Sequence, residues 1–233
     1  MSFEFEIFSH SPATKPKVGV LGSGDVAKVL AAGFHKHGYP AMLSSRDPTK
    51  LAEWVSGDGA GVSAGTFAEA AEFGDVLILA VKGTAAAACL KACGAGLASK
   101  VVMDATNPII DNAPMPPPGG IVPFFKPEGY NSLMEALQAE FADVKFVKAF
   151  NTMGNGMMID PDWGEERGTM MICGNDADAK VMVTTMVQEV GHDVEDFGGA
   201  EVAGPLESIC QLWCSRGFNM GKWMHAFRLL KKD

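Results

Sequence analysis

Short apolar runs alternate along this chain with longer stretches in which apolar positions recur every three to four residues. The runs at 18–21, 41–44, 76–81, 100–108, 144–149, 168–173 and 193–197 predict strands, the fourth of them ending in a polar turn. Unbroken apolar character in several of them suits strands buried on both faces of a parallel sheet. Between them the pattern predicts helices. The first follows Gly24, stacks Val26, Leu30 and Phe34 at i, i+4 beside Ala27 and Ala31, and should stop at Gly38. Pro48 opens another, where its missing N–H costs little. Further helices are expected at 84–93, 135–141 and 177–189, and a long last one over about 206–230. Repeated β–α units predict an α/β fold, a doubly wound and mostly parallel sheet with a small C-terminal helical extension.

The last helix places Leu206, Ile209, Cys210, Trp213, Met220, Met224 and Phe227 at helical spacing, which core packing explains most simply. Its Gly217-x-x-x-Gly221 would also let another backbone or a ligand come close. One segment breaks the rhythm. Residues 111–130 are too proline-rich for a helix or inner strand, and they follow directly on a strand's carboxyl end. They read either as a lid over a ligand crevice or as a surface loop.

Composition narrows the classes. At 233 residues the chain fits one α/β domain with at most a small appendage. A net charge of −9 argues against nucleic acid as a partner. No run reaches the roughly 18 apolar residues that span a bilayer. The N-terminus carries acid where an export signal needs base, so a cytoplasmic location is expected. Cys89, Cys93, Cys173, Cys210 and Cys214 form no metal or redox spacing and read as small buried hydrophobes, as suits a reducing compartment. No metal site is expected.

The chemistry sits in Lys17-Val-Gly-Val-Leu-Gly22-Ser-Gly24-Asp-Val-Ala27, an apolar run entering a glycine turn that opens an amphipathic helix. This is the arrangement that cradles a dinucleotide pyrophosphate. Gly22 permits the tight turn, Gly24 lets the backbone approach, and Ala27 stays small enough for helix–strand packing. The N–H groups of Asp25 and Val26 would face the phosphates at the helix N-terminus.

About 20 residues further on, where such folds inspect the adenine ribose, an acidic residue would mark NAD. Here stand Ser45 and Arg46, a hydroxyl and a guanidinium suited to the 2′-phosphate of NADP, with Lys50 one turn later able to add a second charge. Asp47 would repel that phosphate if it turned inward; it is expected to cap the following helix instead.

These pieces, with Asp104-Ala-Thr-Asn107-Pro108, Val147-Lys-Ala-Phe-Asn-Thr152 and Gly204-Pro-Leu-Glu207, resemble the deazaflavin (coenzyme F-420)-dependent NADP reductases and the cytosolic reductase domains of the six-transmembrane metalloreductases. The resemblance spans about residues 17–220. It implies that Gly22, Ser23, Gly24, Asp25 and Val26 hold the pyrophosphate and that Ser45, Arg46 and Lys50 hold the 2′-phosphate. It further implies that Ala80, Val81, Lys82, Asn107, Ala149, Asn151 and Thr152 line the nicotinamide end. NADP(H) is then the cofactor, a deazaflavin or flavin is the hydride partner, and a homodimer through the C-terminal helix is expected.

From the residues alone, the same three turns follow strands at their carboxyl ends, where doubly wound sheets bind ligands. Asn107 and Asn151 either orient the nicotinamide carboxamide or merely form turns. Lys82 either meets an anionic acceptor or is solvated. No acid–base residue stands out, and His192, in a helix-to-strand turn, reads as packing or capping. Hydride transfer between redox rings needs mainly proximity and orientation, so none is required.

The organisation expected is an extension over 1–16, a dinucleotide-binding domain over 17–200 and a helix over 201–233 that packs on the domain or on a dimer partner. Short-chain dehydrogenases need Tyr-x-x-x-Lys, but Leu43 and Met134 stand four residues after the only tyrosines, Tyr39 and Tyr130. The tail is too short for the large helical substrate domain of hydroxyacid or pyrroline-carboxylate reductases. A soluble NADP-dependent oxidoreductase acting on a small redox substrate is the leading reading; a non-catalytic NADPH-binding sensor is the alternative.

Overall fold

We describe residues 15–232 of a computed structural model of the chain. The expected N-terminal extension falls, up to residue 14, outside the described residues. Six strands, β1 (Val18–Leu21), β2 (Ala41–Ser44), β3 (Ser63–Gly65), β4 (Val76–Leu79), β5 (Val101–Asp104) and β6 (Lys145–Lys148), form one sheet in the order β3-β2-β1-β4-β5-β6, parallel throughout. The order reverses direction between β1 and β4, which pair with Val18 opposite Val76. That switch point opens a crevice at the strands' carboxyl ends.

Alternation along the strands feeds two cores. Val18, Val20, Val76, Ile78 and Met103 face helices α1 (Asp25–Lys36) and α6 (Ala177–Glu189). Leu77, Leu79, Val102 and Phe146 face α3 (Phe67–Phe73), α4 (Ala86–Ala92), α5 (Leu133–Glu140) and α7 (Ala203–Met220). Both faces are covered, which is why the central strands read as unbroken apolar runs. A short helix α2 (Ala52–Ser56) follows the turn opened by Pro48.

Strands β7 (Thr169–Ile172) and β8 (Asp193–Asp196) form a separate parallel pair. It joins the edge of the main sheet through one antiparallel bridge between Lys148 and Cys173. All five cysteines are free and buried, and no helix among the described residues is long and apolar enough to cross a membrane.

Three elements depart from the sequence reading. Strand β3 and helix α3 carry too little apolar pattern to be foreseen, since Ser63 and Ala64 are exposed. Helix α3 nonetheless opens on a reciprocal capping box, Thr66 with Glu69.

The C-terminal helix ends at Met220, not near residue 230. Gly221 takes a left-handed φ of 66° and closes it, and the chain then folds back. Trp223 lies over Gly217, where a Cβ would come within 2.3 Å of its ring. Phe227 accepts the Thr169 N–H at 2.9 Å. The two glycines therefore serve the chain's own return, and Met224 and Phe227 belong to the returning segment.

Candidate dinucleotide and acceptor clefts

The turn between β1 and α1 needs glycine at its first position. Gly22 sits at φ 138°, and a Cβ there would stand 2.3 Å from the Ala80 carbonyl oxygen. Gly24, the N-cap of α1, differs: a Cβ there would meet nothing within 4 Å, so its backbone opens into free space. The free N–H groups of the first helical turn, at Asp25 and Val26, point the same way.

In front of this turn lies a cleft of about 400 Å³ walled by Gly22, Ser23, Gly24, Ser45, Arg46 and the Ala80–Lys82 turn after β4. It is also lined by Ala85, the N-cap of α4, by Ala88 and Ala92 of that helix, and by Phe67 of the unforeseen α3. Arg46 is exposed, and no described residue pairs with it. Ser45 is fixed by its N–H to the Gly65 carbonyl at 3.1 Å and accepts the Asp47 N–H at 3.2 Å.

Asp47 stands at the N-cap of the Pro48 turn, but its carboxylate accepts the Thr49 hydroxyl at 2.5 Å and makes no backbone cap bond. The Thr49 hydrogen bond, with help from Lys50, holds its carboxyl below the ordinary range. Lys50, largely exposed, lies 3.6 Å from Asp47 and lines neither cleft, whereas Arg46 lines the first.

A second cleft, about 450 Å³, continues from the first, and Val81 and Lys82 line both. Val26 and the Ala105–Asn107 turn after β5 form one side. Ile110 and the proline-rich segment form the other, the latter through Asp111, Met115, Val122 and Pro123. It is a tethered wall. Gln211 donates to the Val122 carbonyl at 2.8 Å, Asn219 to Gly119 at 2.9 Å, and the Ile110 N–H to Pro123 at 3.0 Å. The side chain of Lys82 is largely exposed, its Nζ lies 2.7 Å from Asp111 Oδ1, and Thr84 donates to Asp111 Oδ2 at 2.6 Å.

Behind the second cleft the two asparagines meet. Asn107 Nδ2 donates to the Asn151 carbonyl at 2.8 Å, and Asn151 Nδ2 donates to Asn107 Oδ1 at 3.1 Å and to the Leu206 carbonyl at 3.0 Å. Asn107 lines the cleft; Ala149, Asn151 and Thr152 are buried behind it and line neither. Between them Phe150 holds a left-handed φ of 62°, unusual for a bulky side chain. His192 is buried, bonds the Met158 carbonyl at 3.0 Å and is kept neutral by burial, a packing role.

Similarity to known proteins fits this arrangement. Residues 17–108 match the family model described as NADP oxidoreductase coenzyme F420-dependent. A crystal structure from Arthrobacter sp. FB24, of a protein assigned as an F420-dependent NADP reductase, is 30% identical, covers 93% of this chain and 100% of its own, and superposes with a TM-score of 0.83. The chain belongs to the coenzyme F420-dependent NADP oxidoreductase family.

Metalloreductase STEAP3 of Rattus norvegicus is 28% identical over 199 residues, 85% of this chain. The chain spans only 37% of that protein's length. The hypothetical protein SMa0349 of Sinorhizobium meliloti is 27% identical, with 93% of this chain and 96% of its own covered and a TM-score of 0.69. A reductive aminase from Aspergillus terreus, 18% identical at TM-score 0.63, shares the fold.

In this member of the family the turns after β5 and β6 hang on charges that sequence reasoning passed over. Lys148 Nζ, wholly buried, meets Asp104 Oδ2 at 2.7 Å, Glu207 Oε1 at 2.9 Å and the Thr106 carbonyl at 2.9 Å. Asp104 Oδ1 accepts the Thr106 N–H and hydroxyl at 2.9 and 2.6 Å. Glu207 accepts the Leu133 and Met134 N–H groups at 3.0 and 3.2 Å, so α7 caps α5 with a carboxylate. Burial opposes the Lys148 charge, yet the two carboxylates outweigh it and raise its pKa. The network ties β5, β6, α5 and α7 to the turn that ends in Asn107. The motifs containing these residues were recognisable, but nothing in a linear sequence pairs Lys148 with Glu207, 59 positions away.

Proposed function

We propose that this protein transfers hydride between NADP(H), held in the first cleft, and a deazaflavin or flavin-like ring seated in the second. The observation that carries the reading is the shared wall: Val81 and Lys82 line both clefts, so ligands filling them would be neighbours across that turn. NADPH supplies the hydride from its nicotinamide ring. The residues supply geometry. The N-terminus of α1 and the open backbone at Gly24 receive the pyrophosphate, and Arg46 with Ser45 receives the 2′-phosphate. Asn107, locked by Asn151, presents its remaining amide capacity to the ring. The apolar walls Val26, Ile110, Met115 and Val122 exclude water from the meeting point. No acid–base group is needed for such a step.

The test is NADPH oxidation followed with a deazaflavin, a flavin or a ferric chelate as acceptor. Turnover with a ring acceptor is expected. Tight NADPH binding without turnover of any of them contradicts hydride transfer and leaves a cofactor-binding sensor.

A further inference from the structure

The chain has four arginines against fifteen lysines. Arg46 lines the dinucleotide cleft, and the other three, Arg167, Arg216 and Arg228, converge on one depression of about 540 Å³. It shares no lining residue with either cleft. Its floor is the returning C-terminal segment, pinned to β7 by the Thr169 N–H to the Phe227 carbonyl at 2.9 Å and the Leu229 N–H to Thr169 Oγ1 at 3.0 Å.

Arg228 is matched by Glu166, but among the described residues neither Arg167 nor half-buried Arg216 has a carboxylate partner. Three guanidiniums and one carboxylate leave two positive charges in the pocket of a chain whose net charge is −9. Unpaired like charges repel in the free protein, and guanidinium is the side chain whose planar fork matches phosphate oxygens. The remaining wall includes Trp163, Met224, Phe227 and the imidazole of His225, and the buried Trp163 Nε1 and both His225 ring nitrogens have no hydrogen-bond partner among the described residues.

We infer that this depression is a second binding site, separate from the hydride-transfer clefts, for a small molecule that carries a phosphate on a planar aromatic body. Arg167 and Arg216 hold the phosphate, and Trp163 and Phe227 flank the ring.

Phenyl phosphate and inorganic phosphate, titrated calorimetrically at constant ionic strength, test it. Phenyl phosphate should bind saturably and more tightly than inorganic phosphate. Arg216→Gln and Arg167→Gln should each weaken it by about tenfold or more, while Arg46→Glu leaves it unchanged. Both glutamine variants should keep wild-type NADPH affinity, which shows that they fold. The inference is overturned by absent saturation, by inorganic phosphate binding as tightly as the aromatic ester, by unchanged affinity in both glutamine variants, or by loss in Arg46→Glu alone.

Discussion

Lys148 Nζ lies 2.7 Å from Asp104 Oδ2, and neither side chain has any solvent exposure. A buried pair of this kind says little about net stability by itself, but removing one partner strands the other. Lys148→Met strands two carboxylates, Asp104 and Glu207. It should destabilise the fold by about 3–5 kcal/mol, read as a lowered midpoint in denaturant unfolding. An unchanged midpoint would remove the network from the account.

The sign of the pH dependence follows from the raised Lys148 pKa. A raised lysine contributes stability that is fully present below its unfolded value, about 10.4, and is lost as pH rises through the folded value. The Lys148 contribution to wild-type stability should be constant through neutral pH and fall only in strongly alkaline solution. Unfolding curves measured across that range check it.

Gly22 and Gly24 stand two residues apart and should fail differently. Gly22→Ala forces a left-handed φ on a side chain that meets the Ala80 carbonyl, so it should cost about 1–3 kcal/mol or more and lower Tm. Gly24→Val projects into open space, so Tm should stay near wild type while NADPH binding weakens. Thermal unfolding beside cofactor titration separates the two, and wild-type NADPH affinity in Gly24→Val would refute the placement of the pyrophosphate.

Asp111 fastens the proline-rich wall to the β4 turn through Lys82 and Thr84. The Lys82 and Thr84 hydrogen bonds hold its carboxyl below the ordinary range, so the fastening persists at neutral pH and is lost only as pH falls through that lowered value. Asp111→Asn should speed limited proteolysis within residues 111–130 at pH 7 and raise the acceptor KM more than the NADPH KM. Equal proteolysis rates for variant and wild type would show that the pair does not restrain the segment.

The sheet was legible because its strands are buried on both faces, and the β1–α1 turn because glycine is demanded at Gly22. Strand β3 was not, since its Ser63-Ala-Gly65 carries no apolar pattern, although the Thr66–Glu69 capping box just after it was a readable signal for α3. The end of α7 misled because Met224 and Phe227 keep helical spacing while packing as a returning segment. One-turn spacing from Arg46 also says nothing of Asp47, which lies 3.6 Å from Lys50. The Asp104–Lys148–Glu207 network depends on three distant segments meeting, which only the fold supplies.

The most direct test of the account is parallel titration of NADPH and NADH into wild type and Arg46→Glu. Two charge-assisted bonds to the 2′-phosphate, each about 1.5–3 kcal/mol, predict a preference for NADPH of about a hundredfold or more in wild type. Arg46→Glu should lose that preference through NADPH alone, with NADH affinity nearly unchanged. Equal loss for both cofactors, or a wild type that favours NADH, would contradict the assignment of this cleft to NADP(H).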